Sequence, residues 1–175
     1  MIRTNGRNFR LPAPSLWSSA PNRKDRTNAL LLDSPPLGVL IADDHDLFAL
    51  GLAETLAAYP DLTVVGRAAD GAEAVALASE LHPDVVLMDV NMPRVDGIAA
   101  TREVTETLEH TRVVVLSALT DAETAHAARS AGAVAVLSKG GLVDDLISTV
   151  REAAARRSDR LELLEWLPAA AAVAH

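Results

Sequence analysis

Asp43, Asp44, Asp89, Ser117 and Lys139 each stand at the end of a short apolar run. Residues 39–42 lead into Asp43 and Asp44, and residues 85–88 into Asp89. Residues 113–116 lead into Ser117, and residues 134–137 into Ser138 and Lys139. If these runs are parallel strands of one sheet, all of these groups emerge at one edge, where open α/β sheets form their ligand sites. Three carboxylates held close together repel one another until a cation neutralises them. Hard oxygen ligands favour Mg²⁺ or Mn²⁺ over zinc. A site of this kind leaves room for a phosphate oxygen, and the backbone carbonyl of Asn91, two residues beyond Asp89, is placed to add a ligand. Asp89 is the nucleophile candidate, because it follows a buried strand and opens a loop. A carboxylate can attack phosphorus once metal neutralises the approaching charge. Lys139 would pair with the transferred phosphoryl oxygens, and Ser117 would donate its hydroxyl to one of them.

Taken singly, each residue has an ordinary explanation. An Asp pair after a strand is often a helix N-cap, and Asp44 suits that role for the helix that follows. A serine at a strand end is usually structural, and a lysine near a turn is usually solvated. His45 reads as a surface residue at a helix start rather than a metal ligand. His82, His110 and His126 read as exposed or partly exposed helix residues. The joint placement, at corresponding ends of four separate runs, is what chance does not readily produce.

The elements that must position these groups alternate regularly. Strands are predicted over 38–42, 62–67, 84–88, 111–117 and 134–137. Helices are predicted over about 46–58, 71–81, 97–108, 121–131 and 142–157, with a loop at 91–96. The second helix is expected to bury Ala72, Val75, Ala76 and Leu81. The fifth is expected to bury Leu142, Leu146, Ile147, Val150 and Ala154. Gly132 sits where a helix C′ residue belongs. The strand runs are nearly continuous in apolar residues rather than alternating, which indicates a parallel sheet covered on both faces. Five such βα units make a doubly wound α/β fold, and the flavodoxin-like order 2-1-3-4-5 suits five strands and five helices. That order sets the first strand beside the third, so Asp43, Asp44 and Asp89 meet across the crevice.

Composition narrows the class further. The formal net charge is −8 over 175 residues. Residues 1–36 hold six basic residues (Arg3, Arg7, Arg10, Arg23, Lys24 and Arg26) and two acids (Asp25 and Asp33), which leaves the remainder at −12. An acidic body argues against a nucleic-acid surface. There is no cysteine, which excludes disulfides and thiolate metal sites. No apolar stretch approaches the roughly 18 residues that span a membrane. The N-terminus lacks the continuous apolar core of a secretory signal, and a cytoplasmic location follows by default. Its basic, acid-poor character is shared with transit peptides. Residues 1–36, rich in Pro and polar side chains, read as a disordered extension with a small apolar patch at Leu30, Leu31 and Leu32. Residues 37–157 form the expected domain. Residues 158–175 form a tail in which Leu161, Leu163, Leu164, Trp166 and Leu167 suggest an extra helical turn or two, stopped by Pro168.

The stretches VLIADDHDLFALGL, PDVVLMDVNMPRVDGI, VVVLSAL and GAVAVLSKG together resemble the receiver domain of two-component response regulators, over about residues 37–157. The segment from Asp43 through Leu52 looks like the LuxR/NarL branch, whose members usually carry a C-terminal helix-turn-helix. The resemblance implies that Asp89 is the phosphoacceptor. Asp43 and Asp44, with the Asn91 carbonyl, would hold Mg²⁺ (or Mn²⁺), Asp44 most directly. Ser117 would be the switch hydroxyl and Lys139 the phosphate-binding lysine, while Pro93 and Gly97 fit the loop after the phosphoacceptor. Implied partners are a histidine kinase or phosphotransfer protein, a downstream protein target and a second copy of the chain; no direct DNA binding and no membrane are expected. Two departures stand out. The position of the family's aromatic switch residue holds Val136, and residues 158–175 are too few for a helix-turn-helix. The chain thus looks like a stand-alone receiver or a truncated regulator. Three other readings are a phosphatase of the haloacid-dehalogenase type, a binding module that never uses phosphorylation, and DNA-linked regulation through a partner chain. The phosphatase usually needs a second Asp where this chain has Asn91.

Overall fold

The computed structural model describes residues 35–118 and 121–165, with residues 157–165 as backbone only. The expected disorder of residues 1–34 and the end of the tail from Trp166 onward lie outside the described residues. The compact unit that carries the sheet begins at Pro36.

The five apolar runs become β1 (Leu37–Ala42), β2 (Leu62–Ala68), β3 (Val85–Asp89), β4 (Arg112–Ser117) and β5 (Ala135–Ser138). They pair in parallel in the order β2-β1-β3-β4-β5. Between and after them run α1 (Asp46–Ala57), α2 (Gly71–Leu81), α3 (Gly97–Thr107), α4 (Ala122–Ser130) and α5 (Val143–Glu165). This is the flavodoxin-like arrangement expected from the pattern. The helix expected to end near Arg157 runs on through Glu165.

The three central strands are buried on both faces, as their apolar runs require. The edge strands β2 and β5 are only half covered. Because successive strand residues point to opposite faces, the sheet separates two cores. On one side Val39, Ile41, Val85, Leu87, Val114 and Leu116 pack with α1 (Ala49, Leu52, Leu56) and α5 (Ile147, Val150, Ala153, Ala154). On the other, Leu40, Ala42, Val86, Met88, Val113 and Val115 pack with α2, α3 and α4 through small residues such as Ala74, Ala78, Ala100 and Ala128.

Three helices start on an aspartate cap. Asp70, Asp96 and Asp121 accept from the backbone N–H of Glu73, Ala99 and Thr124, at 3.0, 2.9 and 2.7 Å. The first helix differs. Its N-cap residue is His45, which makes no side-chain cap bond, so Asp44 is not the cap that it could have been. Asp43 Oδ1 accepts from the His45 N–H at 2.9 Å instead.

Two expected inward faces are corrected. In α2 the buried residues are Gly71, Ala74 and Ala78, while Ala72 and Ala76 are exposed, Val75 is half-buried and Leu81 is 37 % exposed. Alanines lie on both the buried and the exposed side of that helix, so its apolar pattern selects no phase. Tertiary contact does so, through the Gly71 N–H bond to the Val95 carbonyl at 3.1 Å. Leu142 is 72 % exposed, because α5 begins one residue later, after the Gly140–Gly141 turn.

Candidate functional site

Strand register builds the site. Ala42 pairs with Met88, so Asp43 and Asp89 follow side by side at the ends of β1 and β3. Asp89 pairs with Leu116, and Ser117 with Ser138, so Ser117 and Lys139 arrive at the same edge. The Lys139 backbone N–H donates to the Ser117 carbonyl at 2.9 Å. Lys139 Nζ then lies 2.6 Å from Asp43 Oδ2 and 2.9 Å from Asp89 Oδ2. Asp43, Asp89 and Ser117 are each 2 % exposed.

Asp44 is exposed and points toward His45, whose Nδ1 is 3.2 Å from Asp44 Oδ1 and 3.8 Å from Asp43 Oδ1. One ligand atom from each of Asp43, Asp44, His45 and Asp89 lies within 4.8 Å of all the others. His45 is indeed a surface residue at a helix start, but it also stands with the carboxylates. Its place beside the Asp pair was the only signal in the sequence. His82, His110 and His126 are exposed and are not in this cluster; of the three only His126 lies within a helix, His82 being a C-cap and His110 in a turn.

Burial pushes the Asp89 carboxyl above the usual carboxylate value, and the Asp43 charge adds to this. Hydrogen bonds from Lys139 and from the Asn91 backbone N–H act the other way. For Lys139, burial alone would lower the value; hydrogen bonds to Asp43 and Asp89 outweigh it and hold the ammonium above the usual lysine value. Asp43 and Asp89, both buried, therefore share one ammonium, and the exposed Asp44 adds a third carboxylate beside them. A divalent cation is what such a surplus of negative oxygen accommodates, so the donor set fits Mg²⁺ or Mn²⁺. Asn91 is exposed in the loop two residues past Asp89.

The loop after Asp89 closes tightly. Val90 N–H donates to the Leu116 carbonyl at 3.2 Å, and Gly97 N–H to the Val90 carbonyl at 2.9 Å. A Cβ on Gly97 would lie 1.7 Å from the Asp89 carbonyl oxygen, so only glycine lets α3 start against the backbone of Asp89. Arg94, in the left-handed region at φ 66°, pairs with the buried Asp70 and ties this loop to the start of α2. Neither contact of that pair was visible in the sequence. The other unforeseen neighbour is Phe48, in the first turn of α1. Lys139 Nζ stands over its ring, 4.8 Å from the centroid. Beside them a cavity of about 370 Å³ opens between α1 and α5, lined by Phe48, Leu116, Leu137, Lys139 and Leu146 among others. Val136 is half-buried in β5.

The sheet order and the acidic cluster at the carboxyl ends of β1 and β3 are those of a receiver domain. Residues 39–151 match the response regulator receiver domain, and the chain belongs to that family. Over 124 residues it is 40 % identical to the transcriptional regulatory protein LiaR of Bacillus subtilis (strain 168), covering 71 % of this chain and 58 % of that one. It is 47 % identical over 110 residues to protein-glutamate methylesterase/protein-glutamine glutaminase 4 of Myxococcus xanthus (strain DK1622), covering 62 % of this chain and 31 % of that protein. The chain thus spans little more than half of the first relative and a third of the second. Among solved structures it is similar to the NarL signal receiver domain from Mycobacterium tuberculosis. There the TM-score is 0.67 and the identity 32 %, covering 69 % of this chain and 98 % of that one. These likenesses place the chain with the LuxR/NarL-type receivers. Receivers of this family are signalling switches that bind Mg²⁺ at an acidic pocket and interact with histidine kinases and downstream targets. Among the described residues no helix is long and apolar enough to cross a membrane.

Proposed function

We propose that this chain is a phosphorylation-dependent switch in which Asp89 is the phosphoacceptor. The observation that carries the reading is the bridging of Asp43 and Asp89 by Lys139, at 2.6 and 2.9 Å, at the buried end of β3. Asp43, Asp44 and Asp89, with the backbone carbonyl of Asn91, would hold Mg²⁺. When bound, the ion neutralises charge between the carboxylate and the incoming phosphoryl group. An Asp89 carboxylate oxygen forms the new bond to phosphorus as the donor's P–O or P–N bond breaks, and the donor's leaving group departs with the electron pair. Lys139 then trades its carboxylate contact for a phosphoryl oxygen, and the Ser117 hydroxyl donates to another.

The donor is a histidine kinase, a phosphotransfer protein or a small phosphodonor. The modification adds roughly −1.5 to −2 charge at Asp89. Drawing Ser117 and Lys139 toward that charge shifts the population of two arrangements of α4, β5 and α5. That face then changes its affinity for a downstream protein or for a second copy. No DNA contact by this acidic body and no membrane contact are part of the reading, and the cytoplasm is its setting. The chemistry is confined to self-phosphorylation and self-dephosphorylation. Asn91, where a haloacid-dehalogenase phosphatase needs its second Asp, supports a switch over such an enzyme.

Incubation with acetyl phosphate and Mg²⁺, followed by intact-mass measurement, tests this. Wild type gains one phosphoryl group and Asp89→Asn gains none. Labelling at another residue, or no labelling of wild type, would remove Asp89 from the role.

A further inference from the structure

We propose that Phe48 is a positioning residue for the chemistry at Asp89, holding the Lys139 ammonium in place through the face of its ring. The inference rests on the reading of Asp89 as phosphoacceptor and adds to it a group outside the cluster of polar residues.

The Lys139 backbone is tied to β4 by its N–H bond to the Ser117 carbonyl, but its chain neighbours do little to aim its side chain. It follows the four-residue edge strand β5, which is half exposed, and precedes Gly140 and Gly141, which offer no side chains. A flexible four-carbon stem must nevertheless deliver one ammonium to two carboxylates. The aim comes from the turn between β1 and α1. That turn presents Asp43, pinned by its bond to the His45 N–H at 2.9 Å, and Phe48 in the first turn of α1. Lys139 Nζ is set against Asp43 and Asp89 and at the same time over the Phe48 ring, 4.8 Å from its centroid. A cation so placed is attracted by the negative face of the ring, more strongly where water is partly excluded. The Lys139 side chain is only 15 % exposed.

Phe48 packs against the core on the α1 and α5 side of the sheet, but that packing does not itself call for a ring. Phe48 is half-buried and borders the open cavity of about 370 Å³, so a leucine would wall the same space without a π face. Use of aromatics elsewhere agrees. Among the described residues the aromatic side chains are Phe48 and Tyr59, and each lies under a cation, Tyr59 under Arg151 at 5.3 Å. When the negative charge at Asp89 moves outward onto a phosphoryl group, Lys139 must leave its carboxylate contacts and follow. The ring limits that motion to a swing within the pocket and disfavours release into solvent.

The test uses the whole chain with acetyl phosphate and Mg²⁺, following the rate of mass gain. Phe48→Leu slows phosphorylation by about two- to thirtyfold, the span expected of one partly desolvated cation–π contact. Phe48→Tyr, which keeps the ring face, stays near wild type. In a Lys139→Met background, Phe48→Leu changes nothing further. A second measurement needs no substitution: the ε-methylene protons of Lys139 resonate upfield in wild type because of the ring current, and they move to ordinary positions in Phe48→Leu. If wild type is phosphorylated and Phe48→Leu matches its rate, the proposal is overturned. So is it by a loss that persists undiminished in the Lys139→Met background, since that would be packing alone. If wild type takes up no phosphoryl group, the reading of Asp89 fails, and unshifted Lys139 resonances would then separately refute the contact with Phe48.

Discussion

Two buried carboxylates that share one ammonium make Lys139 a structural as well as a chemical residue. Its removal leaves Asp43 and Asp89, each 2 % exposed, facing one another without a counter-charge. Breaking a buried pair by deleting one partner costs about 3 kcal/mol. Lys139→Met is therefore expected to lower the melting temperature sharply in the presence of a chelator. Millimolar Mg²⁺ is expected to restore most of the loss, because a divalent cation replaces the missing positive charge. Thermal unfolding with and without Mg²⁺ checks this; an equal deficit in both conditions would argue against a cation site. The polar members of the cluster were legible in the sequence because each ends a run of buried residues, a local signal. Phe48 was not, because no pattern within α1 says which side chain will lie under a lysine that arrives from β5.

Among elements, α5 is fastened to the turn between α1 and β2 by one bidentate contact. Arg151 Nε is 2.7 Å from Asp61 Oδ2, and its terminal nitrogen is 2.9 Å from Asp61 Oδ1. Both side chains are nearly half exposed, so solvent screening keeps the pair to about 0.5–1 kcal/mol. The hydrogen bond from Arg151 holds the Asp61 carboxyl below its ordinary value of 3.8. A carboxylate depressed in the folded state stabilises the fold above the ordinary value, and that contribution is lost as pH falls through the lower folded value. Urea unfolding should therefore separate Arg151→Ala from wild type at pH 7, and the gap should close well below pH 3.8. A gap independent of pH would mean that Arg151 acts by packing on Tyr59 instead. Element boundaries followed the sequence closely except at the end of α5, which runs on to Glu165. The phase of α2 did not, because alanines lie on two opposite sides of it and Gly71 docking on Val95 selects one.

On the scale of the whole molecule, the sheet divides one chain into two cores with no shared side chains. Leu87 and Met88 are consecutive, fully buried, and belong to opposite cores. Each substitution to alanine is expected to cost about 2–5 kcal/mol. The double variant is expected to cost their sum within about 0.5 kcal/mol, despite the covalent adjacency, because the two share no packing partners. Urea unfolding free energies of the three variants test this, and a marked departure from additivity would mean that strain crosses the sheet. The amino-acid order alone determined the count, type and alternation of the elements, the parallel sheet and the convergence of Asp43, Asp89, Ser117 and Lys139. Runs, caps and breakers act over a few residues, and a doubly wound sheet brings all its strand ends to one edge. Only the tertiary structure decided which face of α2 is buried, that Leu142 stays outside, that Arg94 reaches Asp70, and that Phe48 lies beneath Lys139. Those outcomes depend on strand register and on neighbours remote in the chain, for which no local pattern carries a signal.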